Sequence, residues 1–132
     1  MRVKILIIED NEQNMYMLTY LLQKADFDVI QAFNGMIGID AARENTPDVI
    51  LLDIQLPGMD GYDVASKLRA IAGLQHTPII AVTSYAMPGD KERAIASGAS
   101  GYIEKPINPD TFITQMESFL PDTLKQKGIT HR

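Results

Sequence analysis

Cysteine is absent from this chain, which excludes disulfides, thiol catalysis and cysteine-ligated zinc but fixes no compartment. Histidine is scarce: His76 and His131 are the only two, they show no ligand partners at metal spacing, and both read as solvated surface. Long apolar runs are missing as well. Nothing approaches the ~18 to 20 residues of a membrane span, and the start, MRVKILIIED, turns acidic before a signal-peptide core or cleavage site could form. The chain therefore reads as soluble and cytoplasmic. Positive charge is in deficit, with 12 Lys and Arg against 17 Asp and Glu and a net charge of -5. That argues against direct nucleic-acid binding, which depends on clustered Lys and Arg, and favours another protein as partner.

What is present is 132 residues, 45% hydrophobic, enough for one well-buried domain and too few for two ordinary ones. Apolar runs alternate with helical patterns five times, as in βα units closing a parallel sheet. The patterns predict strands near residues 3-8, 28-32, 48-53, 78-83 and 101-104. They predict helices at about 12-25, 35-45, 61-72, 88-97 and 109-120, with Pro88 and Pro109 suited to a first helical turn. There is no repeat, low-complexity segment or linker. One domain over 1-121 is expected, followed beyond the helix-stopping Pro121 by a C-terminal tail, 122-132, with little to bury.

The stretch PDVILLDIQLPGMDG, residues 47-61, places a single carboxylate, Asp53, where an apolar strand surfaces. A strand without polar alternation is consistent with burial on both faces, and in open α/β sheets the carboxyl ends of the strands form the edge where ligands bind. If all strands point the same way, Glu9, Asp10, Asp53, Thr83 and Lys105 share that edge. Each alone could be an ordinary loop residue. Together, three carboxylates repel one another unless they share a cation or their pKa values rise. All-oxygen ligands select a hard ion such as Mg2+, which takes one or two carboxylates plus waters and phosphate oxygens, and that chemistry points to phosphoryl transfer.

The segments IIEDNEQN, LLDIQLPGMDG, AVTSYA and GYIEKPI, in this order and spacing, resemble the receiver domain of two-component response regulators over about residues 3 to 120. Their wording is most similar to stand-alone DivK-type regulators and to the receiver domains of hybrid kinases. The resemblance implies a doubly wound five-stranded parallel sheet flanked by five helices, in flavodoxin-like order. It implies that Asp53 is a nucleophile forming an acyl phosphate from a phosphohistidine or a small phosphodonor. Asp10 would bind Mg2+ directly, Glu9 through a water, and the backbone carbonyl of Gln55 would complete the protein ligands. Lys105 would place positive charge beside the transferring oxygens and Thr83 would donate a hydrogen bond to one of them. Glu9 departs from the aspartate often found at that position, which bears on metal affinity. The chain would catalyse only its own phosphorylation and dephosphorylation, with Gln55 and Tyr85 flanking the site and setting hydrolysis. Its partners would be a histidine kinase or histidine phosphotransfer protein and a downstream protein target.

Two further features admit two readings each. Tyr102, three residues before Lys105, is either a partly exposed strand aromatic or an aromatic that follows Thr83 when it switches. The helix over PGDKERAIASGAS offers few large apolar anchors, so its position should be easily biased. In the first helix Asn14, Met17, Leu18, Leu21 and Ala25 share one side, and Met15 and Leu22 widen the stripe. Either the whole stripe is buried, or Met15 and Leu22 lie at the rim and dock a helix of the phosphodonor.

Rival functions remain open on these residues. A flavodoxin-like electron carrier needs a loop that cradles a flavin phosphate, which EDNEQN would repel. A phosphatase with an aspartyl nucleophile usually carries a second acid two residues on, where this chain has Gln55. A receiver belonging to a hybrid histidine kinase or larger regulator would share every feature above. PGMDGYD, residues 57-63, lacks the alternating acids and closing Glu of a calcium loop and reads as a turn into a helix.

Overall fold

The computed structural model describes residues 2-84 and 88-124; Tyr85, His131 and most of the expected tail lie outside them. Five parallel strands, β1 (Lys4–Ile8), β2 (Asp28–Ala32), β3 (Val49–Asp53), β4 (Ile79–Thr83) and β5 (Gly101–Glu104), pair in the order β2-β1-β3-β4-β5. They alternate with α1 (Glu12–Lys24), α2 (Gly35–Asn45), α3 (Gly61–Arg69), α4 (Asp90–Ala96) and α5 (Phe112–Glu117). This is the doubly wound arrangement expected from the alternation.

The uniform apolarity of the central strands is explained by two separate cores. Ile5, Ile7, Val49, Leu51, Ile80 and Val82 face α1 and α5. Their strand neighbours Leu6, Ile8, Ile50, Leu52, Ile79 and Ala81 face α2, α3 and α4. Successive side chains alternate across a strand, so a strand covered on both sides must be apolar at every position. The order reverses between β1 and β3, which pair directly through Ile8↔Leu52. A crevice at the carboxyl ends of the strands lies at such a switch point, and Glu9, Asp10 and Asp53 stand there.

Three of the helix starts follow from local chemistry. Asn11, Asn34 and Asp60 each turn a side-chain oxygen back to a backbone N–H of the first turn, Asn14, Ile37 and Tyr62 respectively, satisfying donors the helix leaves open. Both later helices are shorter than expected. α4 begins at Asp90 rather than at Pro88, because Gly89 is left-handed at φ 91° and cannot sit inside a helix. α5 begins at Phe112 because Asn108 accepts from Asp110 N and holds the preceding residues in a turn. Likewise α3 ends at Arg69, three residues early.

The first helix corrects one expectation. Met15 is 1% exposed and Leu22 0%, and both pack with Leu18, Phe27 and Phe112, so neither can dock a partner. The buried axis runs Met15, Leu18, Leu22 and Ala25, at i, i+3, i+7 and i+10. Met17 and Leu21 are only half-buried at its margin. The stripe was wide because the helix is embraced by the sheet and α5 together, and its centre lies a fraction of a turn from where sequence placed it. Substituting Met15→Ala should therefore cost about 2 to 5 kcal/mol in chemical denaturation. Wild-type stability in that variant would contradict the core assignment.

Candidate phosphoryl-transfer site

Asp53 closes β3 and is 3% exposed. Its Oδ1 accepts from the backbone N–H of Gln55 at 2.9 Å and its Oδ2 from Lys105 Nζ at 3.3 Å. Glu9, immediately after β1, is 1% exposed. Its Oε2 accepts from Asn11 N at 3.1 Å, while Oε1 lies 3.0 Å from Lys105 Nζ without an aligned hydrogen bond. Asp10 follows and is exposed. Lys105 thus spans two buried carboxylates from the residue after β5. Its main-chain N–H donates to Thr83 O at 2.8 Å, and the Lys105–Pro106 peptide is cis. Thr83 is buried at the end of β4, one step beyond the Asp53↔Val82 pair.

All five residues assigned to the sheet edge by sequence are therefore brought to it. Glu9, Asp10 and Asp53 can each turn an oxygen toward a common point, with those oxygens within 4.8 Å of one another. This donor set fits a hard divalent cation: it is all oxygen, two of its three members are buried, and Glu9 Oε1 is left without an aligned hydrogen bond. Tyr102 sits elsewhere. It is half-buried on β5 and packs against the core shared with α3 and α4. It also walls a shallow cavity of about 570 Å3 with Pro88, Glu104 and Phe119, which Glu9, Asp10 and Asp53 do not line.

Electrostatics match this geometry. Burial, and after it the charge of Asp53, raises the Glu9 carboxyl above its ordinary 4.5, against the lowering pull of Lys105 and the Asn11 amide. Burial alone would lower the Lys105 ammonium, yet Glu9 and Asp53 together outweigh it and hold it above 10.5. The signs differ in consequence. Ionised Glu9 opposes folding, so its contribution to stability should decline as pH rises from about 4.5 through its raised folded value. Protonated Lys105 favours folding, and that contribution is complete below 10.5 and lost only as pH rises through its raised value.

A cation shared by these groups should stabilise the fold. At ten times its dissociation constant, Mg2+ should add roughly 1.4 kcal/mol by linkage, or about 3 to 6 °C in thermal midpoint. The effect should weaken as pH falls toward 4.5, where Glu9 takes up a proton in competition with the metal. Thermal unfolding at fixed ionic strength, with and without Mg2+ at pH 7.5 and 4.5, checks both parts. A midpoint indifferent to Mg2+ would mean that the three carboxylates do not act as one cluster.

Sequence reading missed three features of the site. Asn11 both caps α1 and offers its amide to Glu9; a polar residue just before a helical stripe was the available signal. Gln55 accepts through its side-chain oxygen from Ser84 N at 2.9 Å, tying the exits of β3 and β4, and no local pattern announces a contact across 29 positions. Gly61 donates its N–H to Ile54 O at 3.2 Å, and any Cβ there would overlap the Ile54 backbone. The glycine thus lets α3 start directly against the residue after Asp53.

Comparison with known proteins agrees with this picture. A family model for the response regulator receiver domain matches residues 5-117. The polar-differentiation response regulator DivK of Brucella anthropi is 43% identical over 118 residues, covering 89% of this chain and 96% of that protein; DivK of Brucella ovis is 42% identical over 122 residues, covering 92% and 99%. Among solved structures, the chemotaxis response regulator CheY4 of Vibrio cholerae superposes with a TM-score of 0.87 at 29% identity, covering 91% of this chain and all of that one. The receiver domain of the sensor histidine kinase PA1611 of Pseudomonas aeruginosa, solved with a magnesium ion coordinated in its active-site cleft, gives 0.81 at 28%, covering 90% and 98%.

Proposed function

The chain belongs to the response regulator receiver domain family, and from that premise we propose that Asp53 is its phosphoryl acceptor and that phosphorylation switches its contacts with other proteins. The observation that carries this reading is the junction of Asp53, Glu9 and Lys105 through one ammonium, 3.3 Å from one carboxylate and 3.0 Å from the other. In the transfer an Asp53 oxygen attacks the phosphorus of a phosphohistidine. The phosphorus–nitrogen bond breaks, and the imidazole nitrogen leaves with the bonding pair. Gln55 N–H fixes the carboxylate so that Oδ2 faces the cleft beside Lys105. The Lys105 ammonium stands where negative charge gathers on the equatorial oxygens, and the Thr83 hydroxyl is assigned to hold one of them. These groups are preset, which is where catalysis of this kind gains most.

Glu9, Asp10, Asp53 and the backbone carbonyl of Gln55 would hold Mg2+. When bound, it supplies positive charge that offsets the meeting of an anionic nucleophile with an anionic phosphoryl group. The phosphodonor is proposed to be a histidine kinase or histidine phosphotransfer protein, and the output a protein target. With Met15 and Leu22 buried, docking on α1 falls to its exposed face, where Tyr16 and Tyr20 are 74% and 53% exposed. The switching unit is taken as 1-121, supported by the match over 5-117 and by Leu120 as its last core residue, with 122-132 as a tail. Among the described residues no helix is long and apolar enough to cross a membrane.

Incubation with acetyl phosphate and Mg2+, followed by intact-mass analysis, tests the reading. One phosphoryl group per chain is expected, lost when the metal is chelated. Metal-independent uptake, or none at all, would contradict it.

A further inference from the structure

β2 is an edge strand, and no strand among the described residues covers its outer side. Its free groups can be placed. Asp28 N–H donates to Val3 O and Ala32 O accepts from Glu9 N–H, so in the continuous register from Lys4↔Asp28 to Ile8↔Ala32 residues 28, 30 and 32 bond inward to β1. Successive residues of a strand turn their N–H and C=O to opposite edges. Val29 and Gln31 therefore present theirs outward, and nothing among the described residues takes them up.

Proteins blunt such an edge with lysine, proline, a bulge or a repelling charge, because it otherwise templates pairing with another chain. β2 reads DVIQA and has none of these. Its register is unbroken, and its one charge, Asp28, is neutralised by Arg2 Nε at 2.7 Å. The opposite edge differs: β5 has four residues and ends in the exposed Glu104. The flanks of β2 are largely apolar where they overlook it. On one side Thr19 accepts from Gln31 Nε2 at 3.0 Å, which turns toward the strand the α1 face that also carries Tyr16, one turn earlier and 74% exposed. On the other side Ile37 and Ala41 share the flank of α2 away from Arg43, which lines a cleft with Lys67 of α3. Ile37 is 51% exposed and Phe33, just past the strand, 42%.

We propose that β2 is a self-association edge, to which a second copy of this chain adds its own β2 antiparallel about a two-fold axis at Ile30. The geometry selects that occupant, because the edge is complementary to itself. Val29 and Gln31 of one copy lie opposite Gln31 and Val29 of the other, and each pair exchanges both of its N–H···O bonds. Ile30 meets Ile30 across the axis as a close β-branched pair. Asp28 faces Ala32, so no like charges oppose along the strands. The two α1 helices run antiparallel, which brings Glu12 in the first turn of one toward the end of the other that carries Lys24. A contact of this isologous kind closes as a dimer. At about 0.15 M salt the net charge of -5 on each copy is screened beyond about 8 Å and does not prevent it. No residue of the phosphoryl-transfer site takes part.

The test is sedimentation of the full chain over a range of concentrations at that ionic strength, with hydrogen exchange at the two extremes. A concentration-dependent dimer is expected. The amides of Val29 and Gln31 should exchange freely in the monomer and about tenfold more slowly where nine chains in ten are paired, while those of Asp28, Ile30 and Ala32 are protected throughout. Val29→Pro removes an N–H that β1 does not use, and Ile37→Lys places a charge on an exposed flank without touching the strand. Each should raise the dissociation constant about tenfold. Ile95→Lys, at an exposed apolar residue of α4, should leave it unchanged. A chain that stays monomeric at every concentration overturns the proposal. So does a dimer in which Val29 and Gln31 exchange as freely as in the monomer, or one that Ile95→Lys weakens while Val29→Pro and Ile37→Lys do not.

Discussion

The Asp53→Asn protein is expected to take up no phosphoryl group from acetyl phosphate under conditions that label wild type fully. The substitution is close to isosteric. An amide oxygen can still accept from Gln55 N–H, so the β3 exit keeps its hydrogen bond, but a neutral amide is a poor nucleophile and cannot form the acyl phosphate. A misfolded variant is not the expected cause of the loss. Glu9, Asp10 and Asp53 come together only on folding, and Lys105 offsets their repulsion in part. Removing one negative charge from this cluster should raise the metal-free thermal midpoint while abolishing most of the gain from Mg2+. Intact mass and thermal unfolding of the same preparation give both answers. Undiminished labelling would move the nucleophile elsewhere, and a lowered midpoint in the metal-free variant would refute the account of carboxylate repulsion.

How much of this was legible in sequence depends on the range of the forces involved. The strands and the starts of α1, α2 and α3 are set within a few residues of chain, by apolar runs and by Asn11, Asn34 and Asp60, and reading them needed no tertiary knowledge. The end of α3 and both the starts and the ends of α4 and α5 were less legible. They depend on turns such as that at Gly89 and on packing that single residues do not announce. Convergence of Glu9, Asp10, Asp53, Thr83 and Lys105 followed from one assumption, that the strands are parallel, and every one of them reached the edge. What could not be read was their division of labour. Glu9 is buried and Asp10 exposed, although the two are chemically alike and adjacent. That one cation reaches both Glu9 and Asp53 is a fact of three dimensions. Met15 and Leu22 failed for the same reason: the width of a stripe reports how much of a helix is covered, not what covers it.

Replacing the cation itself should reduce stability and phosphoryl uptake together. Lys105→Met keeps a long unbranched stem and removes the charge, leaving Glu9 and Asp53, 1% and 3% exposed, to face each other without compensation. Breaking a buried ion pair by deleting one member costs about 3 to 5 kcal/mol, because the remaining charge is stranded. Here Glu9 has a partial escape, since its carboxyl is already raised by burial and by Asp53 and can take up a proton once Lys105 no longer opposes it. The loss near pH 7 should therefore fall at the lower end of that range, about 3 kcal/mol, or roughly 10 °C in midpoint for a chain of this length. Two conditions should restore much of it: lowering the pH to 4.5, below the raised value of Glu9 and so protonating it, and adding Mg2+, which replaces one cation by another. Combining Lys105→Met with Asp53→Asn should likewise recover more stability than Asp53→Asn adds to wild type, since the two positions interact directly and their effects are not additive. Phosphoryl uptake by Lys105→Met in saturating Mg2+ should still fall by about 10² to 10³, the scale for removing one preorganised charge partner. A variant as stable as wild type without metal at pH 7, and no more stable at pH 4.5, would show that solvent rather than Lys105 neutralises the carboxylates. The ammonium would then have to be assigned to transfer alone.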